Sequence, residues 1–182
     1  MDEAALENLA MAWFGDLGYR TAFGPDILDE RGNKQEVILW KRLEEALVRV
    51  NPGVSQVILN QAIRQFRRAL SEEADTIRCN RQFQSMLIEG IPIKTRDGSK
   101  TRTVIVRLVD RHNVEANDWL AVNQVEIWNE RNHRIPDIVV YLNGLPVSVF
   151  ELKTFANEEV YLVNGFKQLQ TYKKEIPQLF RT

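Results

Sequence analysis

The chain has 182 residues, 44% of them hydrophobic, which allows a sizeable core and excludes a disordered or fibrous composition. A formal net charge of −1 provides no whole-chain attraction for a polyanion, so any contact with nucleic acid has to come from local basic patches or from other subunits. The one cysteine, Cys79, excludes an intrachain disulfide and a cysteine-rich metal cluster and favours a reducing cytoplasm; no apolar run reaches the ~20 residues of a membrane span, and the N-terminus lacks the basic and apolar regions of a signal peptide.

Residues 2–17 carry Leu6, Leu9, Ala10, Trp13, Phe14 and Leu17 at helical spacing, with Gly18 as a stop. Tyr19–Phe23 reads as a short strand and Gly24–Asn33 as a polar loop. Residues 34–50 repeat the helical pattern through Val37, Trp40, Leu43, Ala46, Leu47 and Val50, until Asn51-Pro-Gly53 breaks it. Ser55 is placed to cap a third helix that runs to about Leu70 with Ile58, Ala62, Ile63, Phe66 and Leu70 on one side. Arg64, Arg67 and Arg68 lie on that helix, and Arg78 and Arg81 follow it.

From about residue 90 the apolar period changes from helical to alternating. Ile91–Thr95 and Arg102–Val109 flank an Asp97-Gly98 turn and read as a hairpin; Trp119–Trp128 reads as a further strand. A second hairpin follows over Asp137–Lys153, and residues 158–174 return to helical spacing through Val160, Val163, Phe166, Leu169 and Tyr172 before Pro177. No internal repeat, low-complexity segment or Gly-x-x-x-x-Gly-Lys-Ser/Thr phosphate loop is present. Helices, then a meander of strands, then a helix imply an α/β or α+β fold, a mainly antiparallel or mixed central sheet flanked by helices. One domain is expected over 1–182, helical to about 90 and sheet-based beyond. The abrupt end at Ile176–Thr182, close to an apolar pair, reads as a cut from a longer protein.

The second hairpin carries the chemistry. Its strands flank an Asn143-Gly144 turn signal, and at their outer ends lie Asp137 on one strand and Glu151 and Lys153 on the other. Strand side chains alternate, so Glu151 and Lys153 share a face while Leu152 turns the other way. Three charges at one end of an apolar hairpin need partners or a task. Two carboxylates converging there make a hard oxygen site suited to Mg²⁺ or Mn²⁺, with an ammonium beside it. Those are the parts of phosphodiester hydrolysis.

Register sets a condition. A plain two-residue turn pairs 142 with 145, an odd sum that sends Asp137 to the wrong face. A three-residue turn pairing 141 with 145 sets Asp137 opposite Val149 and diagonal to Glu151 on one face. The site therefore requires a three-residue turn with a bulge, or a bulge elsewhere in the hairpin.

Pro136-Asp137 followed by Glu151-Leu-Lys153 resembles the PD-(D/E)xK nuclease motif. The wider run from Arg134 to Lys153 is similar to the N-terminal nuclease region of the restriction (HsdR) subunit of type I restriction–modification enzymes. Gln168-Leu-Gln-Thr-Tyr172 matches that family's downstream Gln-x-x-x-Tyr, Asn123-Gln124 its upstream pair, and Glu7 with Leu17-Gly-Tyr19 its opening segment. The resemblance implies a restriction-endonuclease-like core in which Asp137 and Glu151 bind Mg²⁺ and Lys153 orients or activates water. Gln168 and Tyr172 would support the site or touch nearby DNA backbone. Glu7 reads first as a solvated helix charge, with approach to the metal as its second reading.

The same resemblance implies a DNA endonuclease without sequence readout of its own, partnered by methyltransferase and specificity subunits, acting on double-stranded DNA. ATP-driven translocation would belong to motor domains beyond Thr182. Two rivals keep the fold: a repair or recombination nuclease, and a catalytically silent docking or DNA-binding module. Elsewhere, His112 and His133 read as surface histidines, Cys79 as unreactive, and Trp119 and Trp128 as core. The arginines of 64–81 read equally as a solvated face or a phosphate track, and the Lys94–Arg107 run as a possible point of DNA contact.

Overall fold

The structure, a computed structural model, describes residues 2–72, 75–98, 100–130, 132–153 and 158–181, with the backbone alone for 72, 97 and 158–162. Ser99 of the expected turn and the Val160 side chain lie outside the described residues.

The chain begins with α1 (Glu3–Asp16), capped where the Asp2 carboxylate accepts the Ala5 N–H, and turns into β1 (Arg20–Phe23). The expected polar loop at 24–33 is instead a 3-10 turn, Gly24–Ile27, running into one helical turn, α2 (Leu28–Arg31). Ile27 and Arg31 are both buried there. The Arg31 guanidinium donates to the carbonyls of Glu36, Glu126 and Lys34 at 2.7, 2.8 and 3.0 Å. These bonds hold residues 34–36 out of helical geometry. The expected helix over 34–50 accordingly begins only at Trp40, as α3 (Trp40–Val50), after Val37, Ile38 and Leu39 have entered the core.

Next come α4 (Gln56–Glu72) and α5 (Thr76–Glu89). α5 is not among the elements expected from the sequence, although its signals are present: Asp75 caps it, Cys79, Phe83 and Met86 form its buried stripe, and Gly90 ends it at φ +80°. A two-stranded ribbon, β2 (Ile91–Asp97) and β3 (Lys100–Val106), then packs beside α4, outside the central sheet.

The expected strand 119–128 divides. β4 (Trp119–Asn123) ends at Gln124, whose φ is +55°, and β5 (Ile127–Asn129) pairs instead with β6 (Asn132–Arg134). Trp128 is exposed rather than core, stacked on His133, and Trp119 is half-buried against Tyr19. The second hairpin forms β7 (Ile138–Leu142) and β8 (Leu145–Phe150), and α6 (Glu158–Glu175) closes the fold before a 3-10 turn at Pro177–Phe180.

The central sheet has the order β1-β4-β7-β8, with β1 parallel to β4 and the other pairs antiparallel. It is a mixed sheet flanked by helices. Its two faces are covered differently. Leu120, Val122, Val139 and Tyr141 enter the main core, which includes Tyr172. Ala121, Ile138 and Val140 face a smaller cluster that α1 covers with Ala10, Met11 and Phe14. Trp13 and Leu17 of α1, read as apolar-face residues, are exposed. The sheet thus lies between two layers, with residues 123, 137 and 151 together at one of its ends.

Candidate active site

The hairpin satisfies the register condition through a bulge. Asn143 and Gly144 form a two-residue turn, both at positive φ (+53° and +80°), pairing Leu142 with Leu145 and Tyr141 with Pro146. The register then shifts: Val140 pairs with Ser148, Val139 with Val149 and Ile138 with Phe150, leaving Val147 as the extra residue. The pairing sum becomes even, so Asp137 and Glu151 stand as the next pair outward on one face. Extended by one step beyond Ile138–Phe150, that register sets Asp137 opposite Glu151 rather than diagonal to it, as a three-residue turn would have done.

Three charged groups meet there. Asp137 Oδ2 accepts the Leu152 N–H at 2.6 Å, which ties the two strand ends together. Lys153 Nζ donates to Glu151 Oε1 at 2.7 Å and lies 3.6 Å from Glu3 of α1. Tyr172 donates its hydroxyl to Glu151 Oε2 at 2.8 Å, and Gln168 Nε2 donates to that hydroxyl at 2.8 Å. Gln168 and Tyr172, one turn apart on α6, thus act on the site through Glu151, whose side chain is only 2% exposed. Leu152 turns to the α1 side.

Glu7 is not the solvated helix charge of its first reading. Its oxygens accept from Asn123 Nδ2 at 2.7 Å and Gln124 Nε2 at 2.6 Å. The left-handed backbone of Gln124 ends β4 at this point, and its N–H reaches the Asp137 carbonyl at 3.2 Å. A side chain on Gly24 would collide with the Gln124 carbonyl. The bond from Asn123-Gln124 to Glu7 was not readable from the pair itself; polar residues just past an apolar strand were its only signal.

The electrostatics follow from this crowding. Burial pushes the Asp137 carboxyl above the usual carboxylate range; the Leu152 N–H opposes this, while the charges of Glu151 and Glu7 add to it. Partial burial disfavours the Lys153 ammonium, but its bond to Glu151 and the charges of Glu151, Glu3 and Asp137 outweigh that and raise its pKa. Burial, then donation to Glu151, raises Tyr172, which stays a neutral donor.

One expected result follows for the metal-free protein. A carboxyl with a raised folded pKa costs native stability once it ionises, and that cost is absent below its ordinary pKa of 3.8. In chelator, Asp137→Asn should therefore raise the melting temperature at neutral pH by ~1–3 °C, with the gain vanishing below pH ~4. A lower melting temperature for the variant at pH 7 would contradict this electrostatic account.

Among the described residues no group of three or more His, Cys, Asp or Glu is arranged to hold a metal ion. The donor set that fits a hard divalent cation is the opposed pair Asp137 and Glu151. Both Glu151 oxygens already accept one bond, yet each carboxylate oxygen has a second lone pair. Burial first, and then repulsion from Glu151, raise Asp137, and a divalent cation would offset both by stabilising the ionised carboxylates.

A family model described as "Type I restriction enzyme R protein N terminus" matches residues 1–182. The chain belongs to this family. It is 32% identical, over an alignment of 186 residues, to the type I restriction enzyme HindI endonuclease subunit of Haemophilus influenzae, covering 99% of this chain and 17% of that protein. It is 27% identical over 187 residues to the putative type I restriction enzyme MjaIXP endonuclease subunit of Methanocaldococcus jannaschii, covering 99% of this chain and 18% of that one. The chain therefore spans under a fifth of the length of these relatives. The resemblance, read over essentially the whole chain and most specifically over 123–172, agrees with this match to residues 1–182, which takes in α1 and the Asn123-Gln124 pair that meet at Glu7.

Proposed function

We propose that this R-protein N-terminal segment is the endonuclease domain of a type I restriction enzyme, of PD-(D/E)xK type, which hydrolyses phosphodiester bonds of double-stranded DNA with Mg²⁺ or Mn²⁺. The observation that carries the reading is the bulged hairpin, which brings Asp137, Glu151 and Lys153 to one face at one sheet end. Asp137 and Glu151 would be the metal's carboxylate donors. Bound there, the ion would supply Lewis acidity toward a phosphoryl oxygen and a more acidic water.

The remaining work falls to the chain's own groups. Lys153, kept protonated by Glu151, orients water through its Nζ protons and offsets charge growing on the phosphate. In this pairing it is a poor general base. Tyr172 and Gln168 fix the Glu151 carboxylate, leaving its free lone pairs directed. Asn123 and Gln124 hold Glu7 as a further negative charge bearing on Asp137.

Sequence choice is left to a specificity subunit and completion of the complex to a methyltransferase subunit, in the cytoplasm. ATP-driven translocation belongs to the remainder of the full-length subunit. The near-neutral charge of this segment agrees with delivery of DNA by other parts. The test is nicking of plasmid DNA by the assembled full-length enzyme. Cleavage should require Mg²⁺ or Mn²⁺, and Asp137→Ala or Glu151→Ala should abolish it while leaving DNA binding intact. Cleavage undiminished in both variants would remove the site assignment.

A further inference from the structure

The ribbon β2–β3 lies outside the central sheet, and the proposed chemistry makes no use of it. Its base is anchored: Ile91 and Val106 are fully buried and Ile93 nearly so. Beyond them the character changes. Lys94, Arg96, Lys100 and Arg102 sit in nine consecutive residues with one acid, Asp97, and all four are exposed. That local charge of +3 (four bases less one acid) belongs to a chain whose formal net charge is −1.

Among the described residues none of the four cations enters an ion pair. The register puts Lys94 opposite Thr103, Arg96 opposite Thr101 and Arg102 opposite Thr95. Each of these three cations therefore has a cross-strand hydroxyl neighbour on its own face.

Burial does not explain why the strands extend this far. The apolar contacts end near Ile93 and Val104, and a free two-stranded ribbon is marginal in water. The extension carries its tip ~20 Å from the buried Ile91–Val106 pair. What it presents is a narrow arm with cations and hydroxyls on both faces, Lys100 standing opposite the one acid, Asp97. Guanidinium, ammonium and hydroxyl groups are the donors that phosphate oxygens accept from, and a ribbon two strands wide fits against a duplex groove. No asparagine, glutamine or aromatic residue occurs between Lys94 and Thr103. Phosphate contact is the chemistry these cations and hydroxyls share, and a dependence on duplex sequence would reveal any base contact by Arg96 or Arg102.

We propose that the β2–β3 ribbon is a duplex-DNA contact, gripping phosphates through Lys94, Arg96, Lys100 and Arg102. The proposal rests on the nuclease reading for its partner, but its residues are separate from Asp137, Glu151 and Lys153. It assigns to this segment an electrostatic grip that its net charge conceals.

The test uses the full-length subunit and a fluorescent 30-base-pair duplex of arbitrary sequence, titrated by anisotropy across a series of KCl concentrations. The quadruple variant Lys94→Gln, Arg96→Gln, Lys100→Gln, Arg102→Gln should bind at least ~10-fold more weakly at 0.1 M salt. Its slope of log affinity against log salt should be shallower by ~2–4. If the four cations hold phosphates alone, the losses should be equal for unrelated duplex sequences. An unchanged melting temperature keeps a folding defect from imitating them. An unchanged slope and affinity would overturn the ribbon assignment. So would unchanged DNA binding accompanied by lost assembly with the partner subunits, which would make the ribbon a protein contact. The nuclease reading fails separately: Asp137→Ala would then cleave normally, whatever the ribbon variant does.

Discussion

Lys153→Ala is expected to lower DNA cleavage by roughly 10²–10⁴-fold, the range over which a positioned proton-handling or charge-offsetting group acts. It should also destabilise the fold, and the two losses have different causes. Glu151 is almost wholly buried, and its oxygens are held by Lys153 and Tyr172. Without Lys153 the carboxylate keeps one neutral partner and still opposes Asp137. Leaving a buried charge unpaired in this way costs about 1–3 kcal/mol. The double variant Lys153→Met, Glu151→Gln removes the uncompensated charge while leaving an amide for Tyr172 to donate to. It should therefore melt higher than Lys153→Ala and remain as inactive. Thermal melts and plasmid nicking on the two variants check both halves. Wild-type cleavage by Lys153→Ala would remove the ammonium from the mechanism. A double variant no more stable than the single would show that the buried charge is not what destabilises it.

The parts of the fold legible in the sequence were those where local chemistry agrees with tertiary position. Asn143-Gly144 demanded a turn, and the positions of Asp137 and Glu151 demanded an even register beyond it. The sequence left two ways to meet that demand, and the chain uses the second, a bulge at Val147. The one residue signal for it is Pro146, which fits either an edge strand or a bulge; β8 is an edge strand, so the residue alone did not single out the bulge. The helix expected from residue 34 failed for the opposite reason. Val37 and Trp40 fit a helical stripe, but the carbonyls of Lys34 and Glu36 are taken by Arg31, and the Leu39 N–H by Gly144. Long-range partners overrode a sound local pattern. Glu7 shows the limit at the site. Its spacing on α1 suits a solvent face, and only the end of β4 at Gln124 brings two amides onto it. Asp137, Glu151 and Lys153 were readable because they lie within one hairpin. Glu7 lies more than a hundred residues away in the chain.

Asn143→Ala is expected to be among the most destabilising single changes, although Asn143 lies at the end of the hairpin away from the charged site. Asn143 is fully buried and sits at φ +53°. Its Nδ2 donates to the Leu108 carbonyl and to Asn117 Oδ1, both at 2.9 Å; its Oδ1 accepts the Asp118 N–H at 2.7 Å and an Arg49 N–H at 3.2 Å. Its own N–H reaches the Asp118 carbonyl at 2.8 Å. Alanine would leave buried partners unsatisfied and would strain a left-handed backbone that asparagine tolerates, together about 3–5 kcal/mol. That corresponds to a fall in melting temperature of roughly 10 °C for a domain of this size. The backbone and side-chain contributions separate in Asn143→Gly, which relieves the φ strain but restores none of the side-chain bonds. If the bonds dominate, glycine should recover only a small part of the loss, and both variants should still cleave once folded at low temperature. Recovery to near wild-type stability by glycine would instead assign the cost to the turn backbone. The adjacent Gly144 gives the comparison: at φ +80°, with a Cβ there 2.5 Å from the Leu39 carbonyl, Gly144→Ala measures left-handed strain and backbone collision together with no side-chain bond at stake.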